Sequence, residues 1–174
     1  FVPGVSLERT LELMTDYDSY EEVFKPMIAG SRLLRREGNL AQIHLRIYIK
    51  KTLKAVFDTE HEVRAAALEG KRWHSRTVST RILEVEDNGK PGERRLPEGD
   101  DRGFLWRYRS YWRFAERDGG TYVQCEALGL SREAPMGLGW IVGAALRGGQ
   151  KDFAQHMVSR ARETLASRRG QNRN

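Results

Sequence analysis

Cysteine is almost missing from this chain: Cys125 stands alone among 174 residues. One thiol permits no internal disulfide and cannot build a multi-cysteine metal site. Long apolar runs are missing too, and none approaches the ~20 residues that span a bilayer as a helix. There is no internal repeat and no low-complexity tract. Lysine is scarce, 7 residues against 23 arginines. That bias suits bidentate contacts with phosphate or carboxylate, and genome composition accounts for it equally well. No HExxH or other close metal-ligand spacing joins His44, His61, His74 and His156, so neither a metal nor a cofactor is expected. No RNP-like, zinc-finger or helix-turn-helix pattern is present. The chain begins at Phe1 rather than Met, which is compatible with removal of an upstream segment and leaves the compartment open.

What is present is a soluble globular composition, 39% hydrophobic and 31% charged. The length suits one domain with a sizeable core, expected over residues 1–170 with 171–174 as a frayed tail. A net charge of +6 and a pI near 9.7 lend only weak support to acidic partners.

Leu7, Leu11 and Met14 fall on one face at spacings of four and three, which predicts a helix over 6–15. Asp18 followed by Glu21 has the form of a capping box, so a second short helix is expected to run to about Lys25, where Pro26 closes it. From Ile28 the period changes to two. In "QIHLRIYIK", Ile43, Leu45, Ile47 and Ile49 alternate with His44, Arg46, Tyr48 and Lys50, the mark of a strand with two unlike faces. "KAVFDTEHEVR" and "WHSRTVSTRILEVE" are two more strand candidates, joined through "ALEGKR" with Gly70 at the turn. "DNGKPGERRLPEGDDRG" reads as a long exposed loop. Strands over 104–116 and 121–130 flank "RDGG", a strong hairpin signal. "MGLGWIVGAALRGG" reads as a short helix or packed loop. Phe153, Met157, Ala161 and Leu165 recur every four residues and predict a helix over 150–167. Strands followed by a segregated helix argue for an α+β fold.

The stretch "LMTDYDSYEEVFKPMIAGSRLLRREG" resembles the opening of START-like (SRPBCC) proteins of the polyketide cyclase and lipid-transport type. "GGTYVQCEALGLSREAPMGLGW" followed by a long helix resembles the ending of the same family. The likeness covers nearly the whole chain in order and spacing, and none of it is a catalytic signature. The family's first strand precedes the first helix, and here only "FVPGV" is left to supply it. The resemblance implies a helix-grip fold: a curved antiparallel sheet of about six or seven strands wrapped around a long C-terminal helix, with two short helices near the N-terminus. It also implies an internal cavity for a hydrophobic molecule. Relatives include carriers, sensors, cyclases and partner-binding regulators, so fold alone leaves the activity open.

The aromatic stretch "GFLWRYRSYWRF" divides under a period of two. Phe104, Trp106, Tyr108, Trp112 and Phe114 share one face, and Arg107, Arg109 and Arg113 share the other. An aromatic core face with a cationic outer face accounts for most of these residues. Trp106, Tyr108 and Trp112 are also candidates for a cavity wall that contacts a ligand. Because alternation separates the arginines from the aromatics, a nucleic-acid surface is disfavoured. "WHSRTVSTR" sets Trp73, Ser75, Thr77, Ser79 and Arg81 against His74, Arg76, Val78 and Ile82, and neither set is cleanly apolar. Glu126 is expected at the rim, and Cys125 is expected as a buried filler. An inward cluster of Arg46, Tyr48 and Arg81 would select a ligand with a carboxylate or phosphate head. His61 shares a face with Phe57, Thr59 and Val63 and reads first as a satisfied core histidine, second as a cavity residue. Trp140 completes the candidate ligand-binding set.

The leading expectation is binding or carriage of a hydrophobic or amphipathic small molecule without catalysis. The second is a cyclase- or hydrolase-like enzyme using Tyr48, His61, Arg81 and Tyr108. The third is an interaction module whose basic face meets an acidic protein, an anionic membrane or nucleic acid, with only transient membrane contact. Oligomeric state is left open.

Overall fold

A computed structural model describes residues 1–49, 55–131 and 155–167. Ser6 has extended backbone and its hydroxyl accepts from the Arg9 N–H, which opens α1 (Leu7–Thr15). Leu13 and Met14 carry its buried face, with Leu7 and Leu11 packed beside them, so the stripe is turned toward Leu13 from the expected one. A 3₁₀ turn (Tyr17–Ser19) leads into α2 (Tyr20–Val23). The expected capping box does not form. Instead the Asp18 carboxylate accepts from the Leu33 N–H at 2.8 Å, and the Ser31 hydroxyl accepts from the Glu21 N–H at 2.8 Å. A side chain suited to capping its own helix is used to bind that helix to the sheet.

The sheet comprises β1 (Val2–Pro3), β2 (Ile28–Glu37), β3 (Leu40–Ile49), β4 (Ala55–Leu68), β5 (Arg72–Glu86), β6 (Arg94–Arg95), β7 (Arg107–Arg117) and β8 (Gly120–Leu130). It runs in the order β1-β8-β7-β5-β4-β3-β2, with β6 paired to β5, and every pairing is antiparallel. The β7–β8 hairpin turns through Asp118 and Gly119, both at positive φ, as a two-residue turn between right-twisted strands requires.

The helix over 155–167, α3, packs into the core. Its Met157, Ala161 and Leu165 are buried in one cluster with Leu13, Phe24, Ile43, Leu45, Ile47, Trp112 and Phe114. Side chains of α3 also reach the carbonyls at the end of α2. Arg160 Nε donates to the Val23 carbonyl at 3.1 Å, and His156 Nε2 lies 3.1 Å from the Phe24 carbonyl. Among the described residues, no helix is long and apolar enough to cross a membrane.

Register decides which side chains face α3. Thr59 pairs with Ile82 and Glu60 with Arg81, but His61 pairs with Ser79, so Thr80 is an extra residue in β5. A bulge of this kind shifts the two-residue alternation by one. Trp73, Ser75, Thr77 and Ser79 therefore share the inner face with Ile82, while Arg81 turns outward.

The loop after β5 is less exposed than its composition suggests. Leu96 is buried, its N–H donating to the Glu84 carbonyl at 2.8 Å beside the β5–β6 pairing, and the loop is held by a carboxylate. Asp58, only 4% exposed, accepts from Arg46 Nε at 2.8 Å and Arg46 Nη2 at 2.9 Å, and also from Arg95. Arg46 reaches on to Glu93 at 2.9 Å. Burial alone would raise the Asp58 carboxyl, but the hydrogen bonds from Arg46 and Arg95 outweigh it and hold the pKa down to about 2. Asp58→Ala is expected to lower stability by about 2–3 kcal/mol, below the range for fully buried pairs because both arginines keep contact with water. A depressed carboxyl stabilises fully above its unfolded pKa, and that stabilisation is lost as pH falls through the folded one. Urea midpoints of the two proteins should therefore stay well apart down to about pH 4 and converge between 3.8 and about 2. A gap that closes already near pH 6 would refute the assignment.

Candidate functional site

Between α3 and the inner face of the sheet lies a space of about 50 Å³. Its walls are of two kinds. Ile43, Leu45, Ile47, Val63, Met14 and Met157 form an apolar side, and Ser75, Thr77, Ser110, His61 and Tyr108 bring polar atoms to another. Trp112 and Phe114, with stacked rings at 6.2 Å, complete it together with Trp73, Tyr17 and Tyr20. Among the described residues, none that lines it is charged. Alternation along β4, β5 and β7 places these side chains: His61 with Val63, Ser75 with Thr77, and Tyr108 with Ser110, Trp112 and Phe114.

His61 is the most constrained of them, at 1% exposure. Its Nε2 lies 2.7 Å from Thr59 Oγ1, and Thr59 Oγ1 lies 2.9 Å from the Leu45 carbonyl oxygen. A carbonyl only accepts, so the single hydroxyl proton of Thr59 goes to Leu45. Thr59 must then accept from His61, which places the ring proton on Nε2 and leaves Nδ1 as a bare acceptor. Nδ1 is buried and has no hydrogen-bond partner among the described residues. Tyr108 stands edge-on to this ring at 5.9 Å. Burial, with a smaller contribution from His44, lowers the His61 pKa to about 4, and burial raises that of Tyr108. Both are neutral at physiological pH. Cys125, expected as a buried filler, is half-buried against the core, and burial, aided by Glu126, pushes its thiol up to about 12.

Three of the expected site residues therefore meet: His61, Tyr108 and Trp112. Four others are elsewhere. Trp106 precedes β7, is 38% exposed, and carries the Arg107 guanidinium over its ring at 4.7 Å. Arg46 faces outward to Asp58 and Glu93 because Leu45 and Ile47 take the inner face of β3. Tyr48 shares that outer face by the same alternation. Arg81 is turned outward by the bulge at Thr80 and pairs with Glu60 at 3.5 Å. Trp140 lies outside the described residues, as does the "MGLGWIVGAALRGG" segment. The inward arginine cluster does not exist, and the Tyr48, His61, Arg81 and Tyr108 quartet is divided between opposite faces. Glu126 is at the rim, paired with Arg113. Sequence reasoning missed Thr59 and the hydroxyl row of Ser75, Thr77 and Ser110. The signal was the mixed polarity of β5, which has no apolar face because its inner face is lined with small hydroxyls.

A buried neutral histidine makes the fold sensitive to acid. Since the folded-state pKa lies below the ordinary 6.5, the unfolded chain binds the proton first as pH falls. Stability should drop between pH 6.5 and about 4, on the order of 3 kcal/mol. His61→Phe should flatten urea midpoints across this window. A mutant curve parallel to that of the parent would show that His61 titrates as it does in water.

No family model and no curated protein matches the chain. Solved structures do. TTHA0849 from Thermus thermophilus superposes with a TM-score of 0.69 at 13% identity, over 95% of this chain and 92% of that one. The Zhui aromatase/cyclase from Streptomyces sp. R1128 does so at 0.63 and 10%, over 95% and 90%. A STAR-related lipid transfer protein fragment from Xanthomonas axonopodis gives 0.53 at 15%, over 89% and 81%. At such identities the likeness establishes the fold and nothing finer. The short N-terminal helices, the antiparallel sheet and the C-terminal helix of this chain form a START-like, SRPBCC-type fold.

Proposed function

We propose that residues 1–170 form one helix-grip domain, its sheet gripping the C-terminal helix, that binds a hydrophobic or amphipathic small molecule between the two. The observation that carries this is the mixed wall around His61. Apolar and aromatic side chains there enclose a few uncharged polar groups, the usual makeup of a small-molecule site. The solved structures of like fold include a lipid transfer protein and an aromatase/cyclase, which is consistent with such a use.

The space of about 50 Å³ has room for a few waters, not for a lipid. A ligand must part the walls, and Met14 and Met157 are the side chains best able to yield, being unbranched and rich in rotamers. Repacking of this kind costs affinity, so micromolar rather than nanomolar binding is expected. An enzyme reading is less favoured, because burial lowers the His61 pKa to about 4 and so makes its free Nδ1 a weak base, and Arg81 and Tyr48 lie on the far face.

Native mass spectrometry after gentle purification, with extraction of any bound species, is the direct test. A melting screen with aromatic and lipid-like compounds complements it. A ligand at 100 times its Kd should stabilise by about 2.7 kcal/mol, several degrees in Tm. Ser110→Phe, which fills the space, should abolish the shift. If the protein carries nothing and no compound moves its Tm, the binding reading fails.

A further inference from the structure

The wall around His61 also specifies what a ligand's polar group must be. We propose that the molecule bound here presents an uncharged hydroxyl that donates a hydrogen bond to His61 Nδ1, with its apolar body against Trp112 and the aliphatic side of the wall. The inference rests on the small-molecule reading above and narrows it to phenols or alcohols, as against carboxylates, ethers and ketones.

Three observations carry it. The first is the fixed tautomer. The contacts from Leu45 O to Thr59 Oγ1 and from Thr59 Oγ1 to His61 Nε2, at 2.9 and 2.7 Å, leave only one placement of two protons. Nδ1 must accept, and a ligand ether or ketone in that place would set lone pair against lone pair. The second is the orphan itself. Among the described residues, His61 Nδ1 is the one buried side-chain nitrogen or oxygen left without a hydrogen-bond partner. An unmet acceptor of this kind is costly, and a donor that reaches it recovers the loss. The third is the lack of charge. Among the described residues, no lysine, arginine, aspartate or glutamate lines the space, so a carboxylate or ammonium head would enter without a counter-ion. Protonation of His61 to meet an anion is opposed by burial, which already lowers its pKa to about 4. In the unliganded protein a water can serve as the donor, and a ligand hydroxyl replaces it with similar geometry.

The test uses three probes of one shape: 2-naphthol, 2-methoxynaphthalene and 2-naphthoate, titrated calorimetrically into the full chain at pH 7.5. The naphthol is expected to bind about tenfold tighter than its methyl ether, the worth of one buried hydrogen bond, with naphthoate weakest. In His61→Phe the advantage of naphthol over the ether should shrink to within about twofold. Nitrogen-15 spectra of the parent protein give a readout that no folding defect can imitate. The His61 ring should be protonated on Nε2, and its Nδ1 resonance should move when naphthol is added. Equal affinity for naphthol and its ether, tighter binding of naphthoate, or a ring protonated on Nδ1 would overturn the hydroxyl assignment while leaving small-molecule binding intact. Failure of all three probes to bind, with a Tm that no aromatic or lipid-like compound moves, would overturn both.

Discussion

Each side chain of β3, β4, β5 and β7 must lie on one of two faces of a continuous antiparallel sheet: the dry one toward the helices, or the other, which is buried where the loop after β5 covers it. The rest of the molecule follows from that constraint. Ile43, Leu45 and Ile47 take the dry face of β3, so His44, Arg46 and Tyr48 cannot. Arg46 on the other side needs an anion, and Asp58, its partner across the β3–β4 ladder, supplies one. Asp58 in turn draws Arg95 and the loop after β5 down onto that side. Within these four strands the alternation breaks at Thr80, and were Thr80 held in regular alternation rather than bulged, Arg81 would share the inner face with Ser79. The bulge keeps Arg81 out of the wall around His61, and beyond it Glu84, buried on the face of Ile82, is met by Arg102.

That separation of charge gives the two faces different physics. Outside, ion pairs such as Arg113–Glu126 and Arg81–Glu60 lie in water and contribute little each. Inside, neutral hydrogen bonds are made in a medium where an unmet group is expensive and a met one is directional. The short chain from Leu45 through Thr59 to His61 belongs to the second kind. Thr59 is fully buried, and its single proton decides the tautomer of a ring two residues along its own strand. The acceptor at Nδ1 is therefore a property of the backbone register, since a carbonyl of β3 fixes it through β4.

Much of the fold was legible because it rests on local periodicity. The β3 alternation, the "RDGG" hairpin and the Met157, Ala161, Leu165 stripe all stand where their spacing puts them. The family resemblance read from both ends of the chain agrees with the fold of the solved structures. The site was legible only in part. Tyr108, Trp112 and His61 could be assigned by counting in twos, since no extra residue interrupts their strands. Arg81 could not, because a single inserted residue inverts every assignment beyond it and leaves no mark in composition. Arg46 was misplaced for a different reason: long polar side chains fit either face until a partner is known, and Asp58 and Arg95 are distant from it in sequence. Trp106 was assigned by extending a strand past its true beginning at Arg107. Asp18 looked like a cap because the motif is local, whereas its actual partner, Leu33, becomes available only once β2 has docked.

The inner wall is hard to explain by stability alone. Its threonine and serines could be replaced by valine and alanine at nearly constant volume, and pairs of hydrogen-bonded polar groups exchanged for apolar ones are often neutral or stabilising. His61 costs more still: it is fully buried, one of its nitrogens is unpaired, and it exposes the fold to acid. A leucine or phenylalanine in its place would avoid all three penalties. Departures of this kind from the most stable choice concentrate where a protein does its work. Asp58, by contrast, is buried, charged and completely partnered, which is what a structural group should be. The contrast between a satisfied ion cluster on one face and an unsatisfied neutral ring on the other marks the first as architecture and supports the recognition role proposed for the second.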